Sequence, residues 1–321
     1  MGEQRLLVVG VGSELGSLAT ALLEQQDQFA DVHGIDVHPP RRRLRRTTFH
    51  RVEHDDSAEF VRRITSLRPD VIVHLGIWEP HARLGTKEAR LATGNYAKTL
   101  CEAISTLSGL TRLVVRSGIE VYGSHAGRVY DERSPIAPTS TYGHMLSSLE
   151  AMISEAAPST TTTTVLRLAP VIGAHVPSPL GRLLRLPFVP VDPTSRAKFQ
   201  VVADDDAARA VAYAALNGRH EAVNVVADGS VNISSVMRQG RRLPVPVLPL
   251  AWPLASSITT LAGAPLPDHV RELLQRGRLA KTLTHDLDYR PVHATADVVS
   301  RLYSWPSVVR ISPKETRERV A

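Results

Sequence analysis

Short apolar runs alternate with longer amphipathic stretches through the first half of the chain. Each run is five or six residues long and predicts a buried strand, and the stretches between the runs have helical periodicity. We predict strands at Arg5–Val9, Val32–Asp36, Val71–Leu75, Arg112–Arg116 and Thr163–Leu168, and helices at Leu15–Gln25, Ser57–Leu67, Lys87–Leu107 and Tyr142–Ala156. This alternation predicts a doubly wound α/β fold, because parallel strands need right-handed helical crossovers on both faces of the sheet.

The second half of the chain is less regular and contains many prolines, which mark a loop-rich region. We predict a strand and a helix at Phe199–Ala203 and Asp206–Leu216, a strand at Ala222–Val226, and helices at Asp268–Gln275 and Thr295–Tyr303. The predicted fold class is therefore a Rossmann-type doubly wound parallel sheet with a smaller C-terminal substrate-binding lobe. The predicted domains are residues 1–170 and 171–321, with the strand and helix at 199–216 packing back on the sheet.

Composition limits the class of protein. The chain has 321 residues, of which 43% are hydrophobic and 22% charged, and this suits one α/β unit with a second lobe. The single cysteine, Cys101, excludes an intrachain disulfide and fits a reducing compartment. No charged segment with an apolar core and a cleavage site precedes the first strand, so we expect no signal peptide and a cytoplasmic protein.

Positive charge is concentrated in Arg41-Arg-Arg-Leu-Arg-Arg46, in a chain with a net charge of +6. The cluster predicts a solvated loop face, and contact with phosphates of a cofactor or substrate is the alternative. We expect no nucleic-acid partner, because no aromatic residues are interleaved with the basic ones and no binding motif is present.

The segment Pro244–Pro267 is long and apolar enough to raise the question of a membrane span. Its prolines at 244, 246, 249 and 253 interrupt any helix through the first half, so we expect no transmembrane span. A helix that caps an apolar cleft is the preferred interpretation, and shallow contact with a membrane surface is the alternative.

A glycine-rich turn follows the first predicted strand and opens the first helix. Gly10, Gly12 and Gly16 allow the backbone to approach a pyrophosphate at the helix N-terminus, and Ser13 takes a position where another glycine is usual. Asp36 ends the second strand, where a carboxylate accepts hydrogen bonds from ribose hydroxyls and repels a 2′-phosphate. The pattern predicts NAD as the cofactor, with NADP less favoured, although the arginines from Arg41 onward could reverse that preference by pairing with a phosphate.

Further motifs follow in a fixed order along the chain. They are Asp55-Asp56, His74-Leu75-Gly76-Ile77, Asn95, Ser117-Gly-Ile-Glu-Val-Tyr-Gly123, Arg167-Leu-Ala-Pro-Val-Ile-Gly173, Phe199–Asp205 and Leu287-Asp-Tyr-Arg-Pro291. Together with the glycine turn they resemble the extended short-chain dehydrogenase/reductases of the NAD-dependent epimerase/dehydratase group, in particular actinobacterial members with altered active sites. The resemblance covers nearly the whole chain and implies cofactor contacts from Gly10, Gly12, Ser13, Leu15, Gly16, Asp36, Asp55, Asp56, Leu75, Gly76, Asn95 and Tyr142.

The same resemblance shows where the catalytic residues of the family have changed. In that family a tyrosine is the general acid/base, and a lysine four residues later binds the nicotinamide ribose and lowers the pKa of the tyrosine. Here Tyr142 is followed by Leu146, which has neither a charge nor a donor. The usual Ser/Thr hydroxyl position falls on Gly118, with Ser117 one residue earlier and expected on the other side of the strand.

We expect any catalysis to depend on Tyr142, Ser117 and Glu120, since some dehydratase-type relatives have an acid at the position of Glu120. Purely structural roles are the alternative: an aromatic packed below the cofactor, a strand-end serine and a salt-bridged acid. His74 is interpreted as a buried, hydrogen-bonded strand histidine. No residues with metal-ligand spacing are found, so we expect no metal.

Two functions remain open from the sequence. One is an active NAD-dependent oxidoreductase or epimerase acting on a sugar nucleotide or an apolar small molecule, with Glu79 and His81 in the substrate cleft. The other is a non-catalytic nucleotide-binding regulatory or partner protein. Under both, the helices at Lys87–Leu107 and Tyr142–Ala156 correspond to those that pair family members, so we expect a homodimer.

Overall fold

A seven-stranded parallel sheet forms the centre of the computed structural model, which describes residues 4–53, 55–219, 221–282 and 289–304. The strands are β1 (Gln4–Val9), β2 (Phe29–Asp36), β3 (Thr47–Arg51), β4 (Val71–His74), β5 (Arg112–Gly118), β6 (Val129–Tyr130), β7 (Thr162–Leu168), β8 (Val171–Ile172), β9 (Phe188–Val191), β10 (Lys198–Phe199), β11 (Val202–Ala203), β12 (Glu221–Val225), β13 (Val231–Asn232), β14 (Leu243–Pro246) and β15 (Leu279–Ala280). The helices are α1 (Glu14–Leu23), α2 (Ser57–Leu67), α3 (Thr86–Thr106), α4 (Thr141–Ala156), α5 (Pro179–Arg185), α6 (Asp204–Asn217), α7 (Ile233–Gly240), α8 (Trp252–Leu261), α9 (Asp268–Arg276) and α10 (Thr295–Ser304).

The order of strands in the sheet places a ligand crevice at its centre. The order is β12-β7-β5-β4-β1-β2-β3, and Val9 at the end of β1 pairs with Ile35 on β2 and with His74 on β4. From β1 the chain winds outward first through β2 and β3, and then in the opposite direction through β4 and β5. Ligands of doubly wound folds bind at such a reversal, outside the carboxyl ends of the strands. The predicted fold is confirmed.

Two groups of helices cover the sheet. Helix α1 packs against α6, while α2, α3 and α4 pack in succession. Because both faces are covered, the apolar residues of β1 from Leu6 to Val9 are all buried. This explains the uninterrupted apolar runs of the sequence.

Strand β3 was not predicted from the sequence. It pairs with β2 at the edge of the sheet, where Asp36 lies opposite Arg51. Its residues, Thr47–Arg51, are only partly buried or exposed, so the sequence lacks the apolar run by which the other strands were found. Edge strands commonly carry such polar side chains.

Residues beyond position 170 also contribute to the central sheet and its helices. Strand β12 extends the sheet next to β7, and α6 buries alanine and valine side chains in the main core. The predicted domain boundary near residue 170 therefore stays a prediction. Two elements from beyond it, α6 and β12, pack with the central sheet.

A second core lies in the C-terminal part of the chain. It is formed by apolar side chains from α5, β9, α7, α8, α9 and α10. Helix α9 also packs against α4, which brings this lobe to the end of the sheet's crevice. The motif expected at Leu287–Pro291 begins outside the described residues.

Candidate functional site

The turn between β1 and α1 requires glycine because the surrounding backbone lies very close to it. Gly10 has a φ of +90°, and a Cβ atom there would lie 2.6 Å from the Gly76 nitrogen. A Cβ at Gly12 would lie 2.2 Å from the carbonyl oxygen of His38. These approaches keep the turn free of side chains, so its geometry fits a dinucleotide pyrophosphate.

Ser13 has a structural role that explains why it replaces a glycine. Its hydroxyl is the N-cap of α1, where it accepts a 2.9 Å hydrogen bond from the Gly16 N–H and donates one of 2.9 Å to the Gly10 carbonyl. Ser13, Glu14 and Leu15 line the cleft at the positive end of the helix dipole. The buried Glu14 carboxylate forms an ion pair of 3.2 Å with Arg42, which offsets a negative charge at this anion-binding end.

Asp36 lies at the end of β2 and lines the same cleft. Its two carboxylate oxygens accept hydrogen bonds from the N–H groups of Gly12, at 2.9 Å, and His38, at 3.1 Å. Burial raises the pKa of Asp36 above its usual value, and these two N–H groups oppose the shift. Each oxygen retains a second lone pair, so the carboxylate can still accept hydrogen bonds from ribose hydroxyls.

The arginine cluster is attached to the nucleotide-binding turn and to α1. The Arg41 Nε donates a hydrogen bond of 3.2 Å to the Gly12 carbonyl, which places this side chain beside the glycine turn. The backbone N–H groups of Arg45 and Arg46 donate to the carboxylate of Glu24 at 3.0 Å. The cluster is therefore an exposed loop face held by specific bonds, with Arg41 close to the cofactor end of the cleft.

Five residues expected to contact the cofactor are not among the described residues that line this cleft, namely Gly16, Asp55, Asp56, Asn95 and Tyr142. Asp55 is exposed, and Asp56 is the N-cap of α2, where its carboxylate accepts a 2.9 Å hydrogen bond from Glu59 N–H. Asn95 is exposed on α3. A helix cap accounts for the acid at Asp56 without a nucleotide, and the resemblance of sequence motifs cannot distinguish the two roles.

The loop after β4 continues the cleft away from the glycine turn. Leu75 and Gly76 line it, as expected, and so do Trp78 and Glu79. The Trp78 N–H donates a 3.0 Å hydrogen bond to the hydroxyl of Thr93 on α3, which fixes the loop. His81, which was expected beside Glu79, is not among the described residues that line this cleft.

Tyr142 is buried in the first turn of α4, which begins after the N-cap Ser140. Burial raises the pKa of Tyr142 well above its usual value. The positive charge of Arg116, which also lines the cleft, opposes the shift, and the carboxylates of Glu79 and Glu120 add to it. The phenolate is thus disfavoured in the described structure, and a catalytic role would require additional positive charge beside the ring.

The two changed catalytic positions pack against each other. Leu146 is fully buried, and a Cβ atom on Gly118 would lie 3.0 Å from its Cδ1 and 2.3 Å from the Glu120 Oε2. A side chain at position 118 would therefore have to displace the Glu120 carboxylate and press against Leu146.

Ser117 is directed into a buried polar network instead of toward Tyr142. Its hydroxyl donates a 2.5 Å hydrogen bond to the Glu150 carboxylate, which also forms a buried ion pair of 2.7 Å with Arg167. Glu150 is eight residues beyond Tyr142 on α4, a separation of about 12 Å along the helix axis. The engagement of this hydroxyl by Glu150 favours the structural alternative for Ser117, and its catalytic role stays a prediction.

Glu120 is also engaged by a structural partner. The guanidinium of Arg278, which is fully buried, donates to Glu120 Oε1 at 2.8 Å, to the Gly123 carbonyl at 2.9 Å and to the Ser124 hydroxyl at 2.8 Å. This agrees with the alternative of a salt-bridged acid. Because one oxygen is held by Arg278, the structural alternative is favoured for Glu120, and its part in catalysis beside Tyr142 stays a prediction.

A histidine not considered in the sequence lies against Tyr142. The ring of His269, at the start of α9, is 5.0 Å from the Tyr142 ring between centroids, and its Nε2 is 3.1 Å from Glu79 Oε1. Burial by itself lowers the pKa of His269, but the carboxylates of Asp268 and Glu79 outweigh burial and raise this pKa to about 9. At neutral pH the site therefore contains a buried imidazolium that touches the tyrosine ring.

His74 differs from its predicted role in one respect. It is fully buried on β4, as expected, but neither ring nitrogen has a hydrogen-bond partner among the residues that the structure describes. Burial lowers the pKa of His74 to about 4, and the charge of Arg116 adds to this effect. The ring is therefore neutral at physiological pH.

One group of potential metal ligands was missed because its members are far apart in sequence. Asp205, Asp206 and His293 bring one ligand atom each to within 4.8 Å of the others. The Asp206 carboxylate, however, accepts hydrogen bonds from the N–H groups of Val292 and His293 and from Arg209. These bonds give Asp206 a structural role in joining α6 to the residues before α10.

The apolar segment does not cover the cleft, contrary to the preferred interpretation. Its residues form β14, a 3-10 turn at Pro249–Ala251, and α8. None of its described residues lines the cleft that contains the glycine turn, so it gives no support to an apolar substrate. Across the described ranges, no helix has both the length and the apolar character needed to cross a membrane.

Comparison with protein families and curated proteins gives consistent results. The model of the NAD dependent epimerase/dehydratase family matches residues 6–227. An uncharacterized protein of Mycobacterium tuberculosis (strain ATCC 25618 / H37Rv) is 29% identical over 308 residues, which cover 91% of this chain and 81% of that protein. An uncharacterized protein of Mycobacterium bovis matches to the same extent.

Solved structures share the fold across almost the full chain. A UDP-glucose 4-epimerase from Thermotoga maritima, with UDP-glucose, has a TM-score of 0.67 at 16% identity and covers 94% of this chain and 98% of its own. A UDP-glucuronic acid 4-epimerase from Bacillus cereus, in complex with NAD, has a TM-score of 0.68 at 17% identity, with coverage of 94% and 98%. A dTDP-glucose 4,6-dehydratase from Bacillus anthracis, also with NAD, has a TM-score of 0.65 at 16% identity, with coverage of 94% and 96%.

Proposed function

The chain belongs to the NAD-dependent epimerase/dehydratase family, and on that premise we propose that it binds NAD and acts on a hydroxyl-bearing substrate such as a sugar nucleotide. One observation carries the proposal. The cleft that contains the glycine turn and Asp36 is also lined by Arg116 and Glu79, and the charges of both residues act on the buried Tyr142, which is not itself a lining residue. The groups proposed to bind the cofactor are therefore close to charges that act on the group proposed to transfer the proton. The similar structures with NAD or UDP-glucose support the same ligand classes.

NAD is favoured over NADP by the charge of Asp36. A carboxylate that already accepts N–H bonds from Gly12 and His38 is fixed in orientation, so it can hold ribose hydroxyls and repel a phosphate. Arg41 lies close to the same turn and opposes this preference. We expect Asp36→Asn to lower the affinity for NAD about tenfold and to reduce the ratio of the affinity for NAD to that for NADP.

The proposed chemistry divides between cofactor and protein. NAD, when bound, supplies the hydride acceptor for oxidation of a substrate hydroxyl. Tyr142 takes the proton of that hydroxyl, and the positive charge of Arg116 favours the phenolate form that can accept it. His269 adds a second positive charge beside the Tyr142 ring. Glu79, which lines the cleft, fixes the imidazole of His269 through a hydrogen bond.

A second candidate is a non-catalytic NAD-binding regulator or partner protein. The packing of Leu146 against Gly118 favours it, because this contact replaces both the lysine and the hydroxyl of the family's active site. Burial of Tyr142, which raises its pKa, favours it as well. Under this alternative the glycine turn and Asp36 retain NAD affinity without turnover.

The two candidates are separated by measuring binding and turnover on the same preparations. Calorimetry with NAD and NADP tests the cofactor site. Turnover is tested with a panel of sugar nucleotides by chromatography of the products, which detects epimerisation and dehydration, and by absorbance of the reduced nicotinamide, which detects net oxidation. We expect Tyr142→Phe to retain NAD affinity and to lower turnover by at least about a hundredfold, the usual contribution of a general acid/base. Turnover of Tyr142→Phe at the parent rate would refute the mechanism. Binding of neither dinucleotide would refute both candidates.

A further inference from the structure

A long stretch of the C-terminal lobe carries no charge. The segment Leu243–Pro267 contains 25 residues and no Asp, Glu, Lys or Arg, although 22% of the whole chain is charged. At that frequency a segment of this length would contain about five charged residues. Its residues form β14, the turn at Pro249–Ala251, and α8, all of which are on the outside of the second core.

Helix α8 exposes large apolar side chains on its outer side. Trp252 and Thr259 are buried, and Trp252 belongs to the second core. On the outer side Leu254 is 65% exposed, Ile258 57% and Leu261 90%, beside the exposed Ser257 and Thr260. The outer side therefore has polar residues but none of the charged residues usual on a solvated helix, and its three large apolar side chains mark a contact surface.

The exposed apolar surface extends beyond the helix. Leu248 and Leu250 lie in the turn before α8, and Leu250 is 97% exposed. Phe188 on β9 is exposed and is the register partner of Leu243 on β14. We use the term apolar face for Phe188, Leu243, Val245, Leu248, Leu250, Leu254, Ile258 and Leu261.

Backbone pairing with another strand is disfavoured at this face. The N–H of Leu243 donates to the Pro187 carbonyl and that of Val247 to the Val191 carbonyl, so these donors point toward β9. The intervening residues that alternate with them, Pro244 and Pro246, have no N–H for the opposite edge. A peptide or a second copy could not complete a ladder there, whereas a lipid surface requires only apolar contact.

Positive charge borders the apolar face. Arg241 and Arg242 immediately precede β14, and Arg185 ends α5 three residues before Phe188. Arg241 is exposed, whereas Arg242 is half-buried with its guanidinium carbon 5.5 Å from the centre of the Tyr303 ring, and the Arg185 Nε donates a 3.3 Å hydrogen bond to the Leu302 carbonyl. A basic border beside an exposed apolar helix is complementary to anionic lipid headgroups.

We propose that the apolar face seats the protein on the surface of an anionic phospholipid bilayer, with α8 lying in the plane of the headgroups. Leu250, Leu254, Ile258 and Leu261 enter the boundary of the acyl chains, and the exposed Arg241 contacts lipid phosphates. This contact is peripheral, and it does not depend on NAD binding or on turnover.

The proposal is tested by vesicle flotation of the full chain. The parent protein is expected to float with vesicles of equal parts phosphatidylcholine and phosphatidylglycerol, and to bind vesicles of phosphatidylcholine alone much more weakly. High salt is expected to weaken binding to the anionic vesicles, because it screens the arginine contacts. The double variant Leu250→Asp, Leu254→Asp is expected to bind at least tenfold less, while its thermal unfolding matches the parent, since both side chains are exposed.

Ile136→Asp is the matched control, because Ile136 is an exposed apolar residue outside the apolar face. It is expected to float like the parent. Failure of the parent to bind anionic vesicles would overturn the proposal, as would undiminished binding by the double variant. If the double variant instead changes the oligomeric state in sedimentation and leaves flotation unchanged, a second copy covers this face and the bilayer does not.

Discussion

The positive charge beside Tyr142 comes from residues that are distant in sequence. Arg116 is contributed by β5 and His269 by α9, whereas the family places its lysine four residues after the tyrosine on the same helix. Both cations are close enough to affect the ring: Arg116 favours ionisation of Tyr142, and the His269 ring is 5.0 Å away. At the scale of single residues, two elements other than α4 place positive charge near the Tyr142 ring.

The His269–Glu79 pair predicts a specific dependence of stability on pH. The pKa of His269 rises from its ordinary 6.5 to about 9 in the folded protein, so folding favours the protonated ring. This stabilisation is complete below pH 6.5 and is lost as the pH rises through 9. Its size is on the order of 3 kcal/mol, from 1.4 kcal/mol for each pH unit.

Urea unfolding of the parent and of His269→Gln, followed from about pH 6 to about pH 10, measures this difference. The variant should be less stable than the parent at the lower pH, and the two should converge at the upper pH. His144→Gln, which changes an exposed histidine on α4, should follow the parent curve. A parent stability that increases across this range relative to His269→Gln would contradict the assignment of a buried imidazolium.

The contact between Leu146 and Gly118 predicts that the lysine of the family cannot simply be restored. Leu146→Lys places a charge in a fully buried position and should lower the free energy of unfolding by about 3–5 kcal/mol. Leu146→Met, which conserves volume, should cost less than about 1.5 kcal/mol. Chemical denaturation measures both values. Parent-like stability of Leu146→Lys would show that the side chain reaches solvent or an acid in the cleft.

At the scale of elements, the sequence predicted most of the central sheet because each of its strands has a local signal. Apolar runs and the helices between them gave β1, β2, β4, β5 and β7 to within a few residues. Strand β3 lacked such a run, since it is an edge strand with partly exposed side chains. The glycine turn also has a local signal in the sequence. The backbone of Gly76 lies so close to Gly10 that a side chain would not fit there, so this part of the site requires glycine and could be predicted.

The remainder of the site depends on contacts across long distances in sequence. Glu79 and His269 are 190 positions apart, and no spacing rule relates them. Arg278, which engages Glu120, is similarly remote, at 158 positions. The side of the strand on which Ser117 lies was predicted from alternation, whereas its partner Glu150 required the packing of α4 on β5.

Helix α2 provides a prediction that separates a structural acid from a cofactor contact. Asp56 is the N-cap of α2, so Asp56→Ala should lower the free energy of unfolding by about 1 kcal/mol. Calorimetry should show unchanged NAD affinity, because Asp56 lies outside the cleft. Asp55→Ala is the control, since Asp55 is exposed and is not the cap. A large loss of NAD affinity in Asp56→Ala would restore the cofactor contact expected from the sequence.

At the scale of the whole molecule, the surroundings of Tyr142 are built from both parts of the chain. Glu79 follows β4 in the nucleotide-binding layer, and His269 begins α9 in the lobe with the second core. Asp268, beside His269, accepts a 2.7 Å hydrogen bond from the Thr141 N–H at the start of α4. The lobe therefore fixes the same helix turn that carries Tyr142. A change in the position of the lobe should consequently move Tyr142.

Assembly into a homodimer through α3 and α4 is the remaining prediction at this scale. The two helices form a groove lined in part by Gly94 and Ala97 of α3 and by His144 of α4. A Cβ atom on Gly94 would meet no atom of the rest of the chain within 4 Å, so the space beside it is available to a partner helix.

Sedimentation of the parent at micromolar concentration should show a dimer. Gly94→Arg should give a monomer without loss of folding stability, because arginine favours the helix by about 1 kcal/mol over glycine. Gly94→Ala, which adds only a methyl group, should remain dimeric, and a parent that sediments as a monomer would refute the assembly.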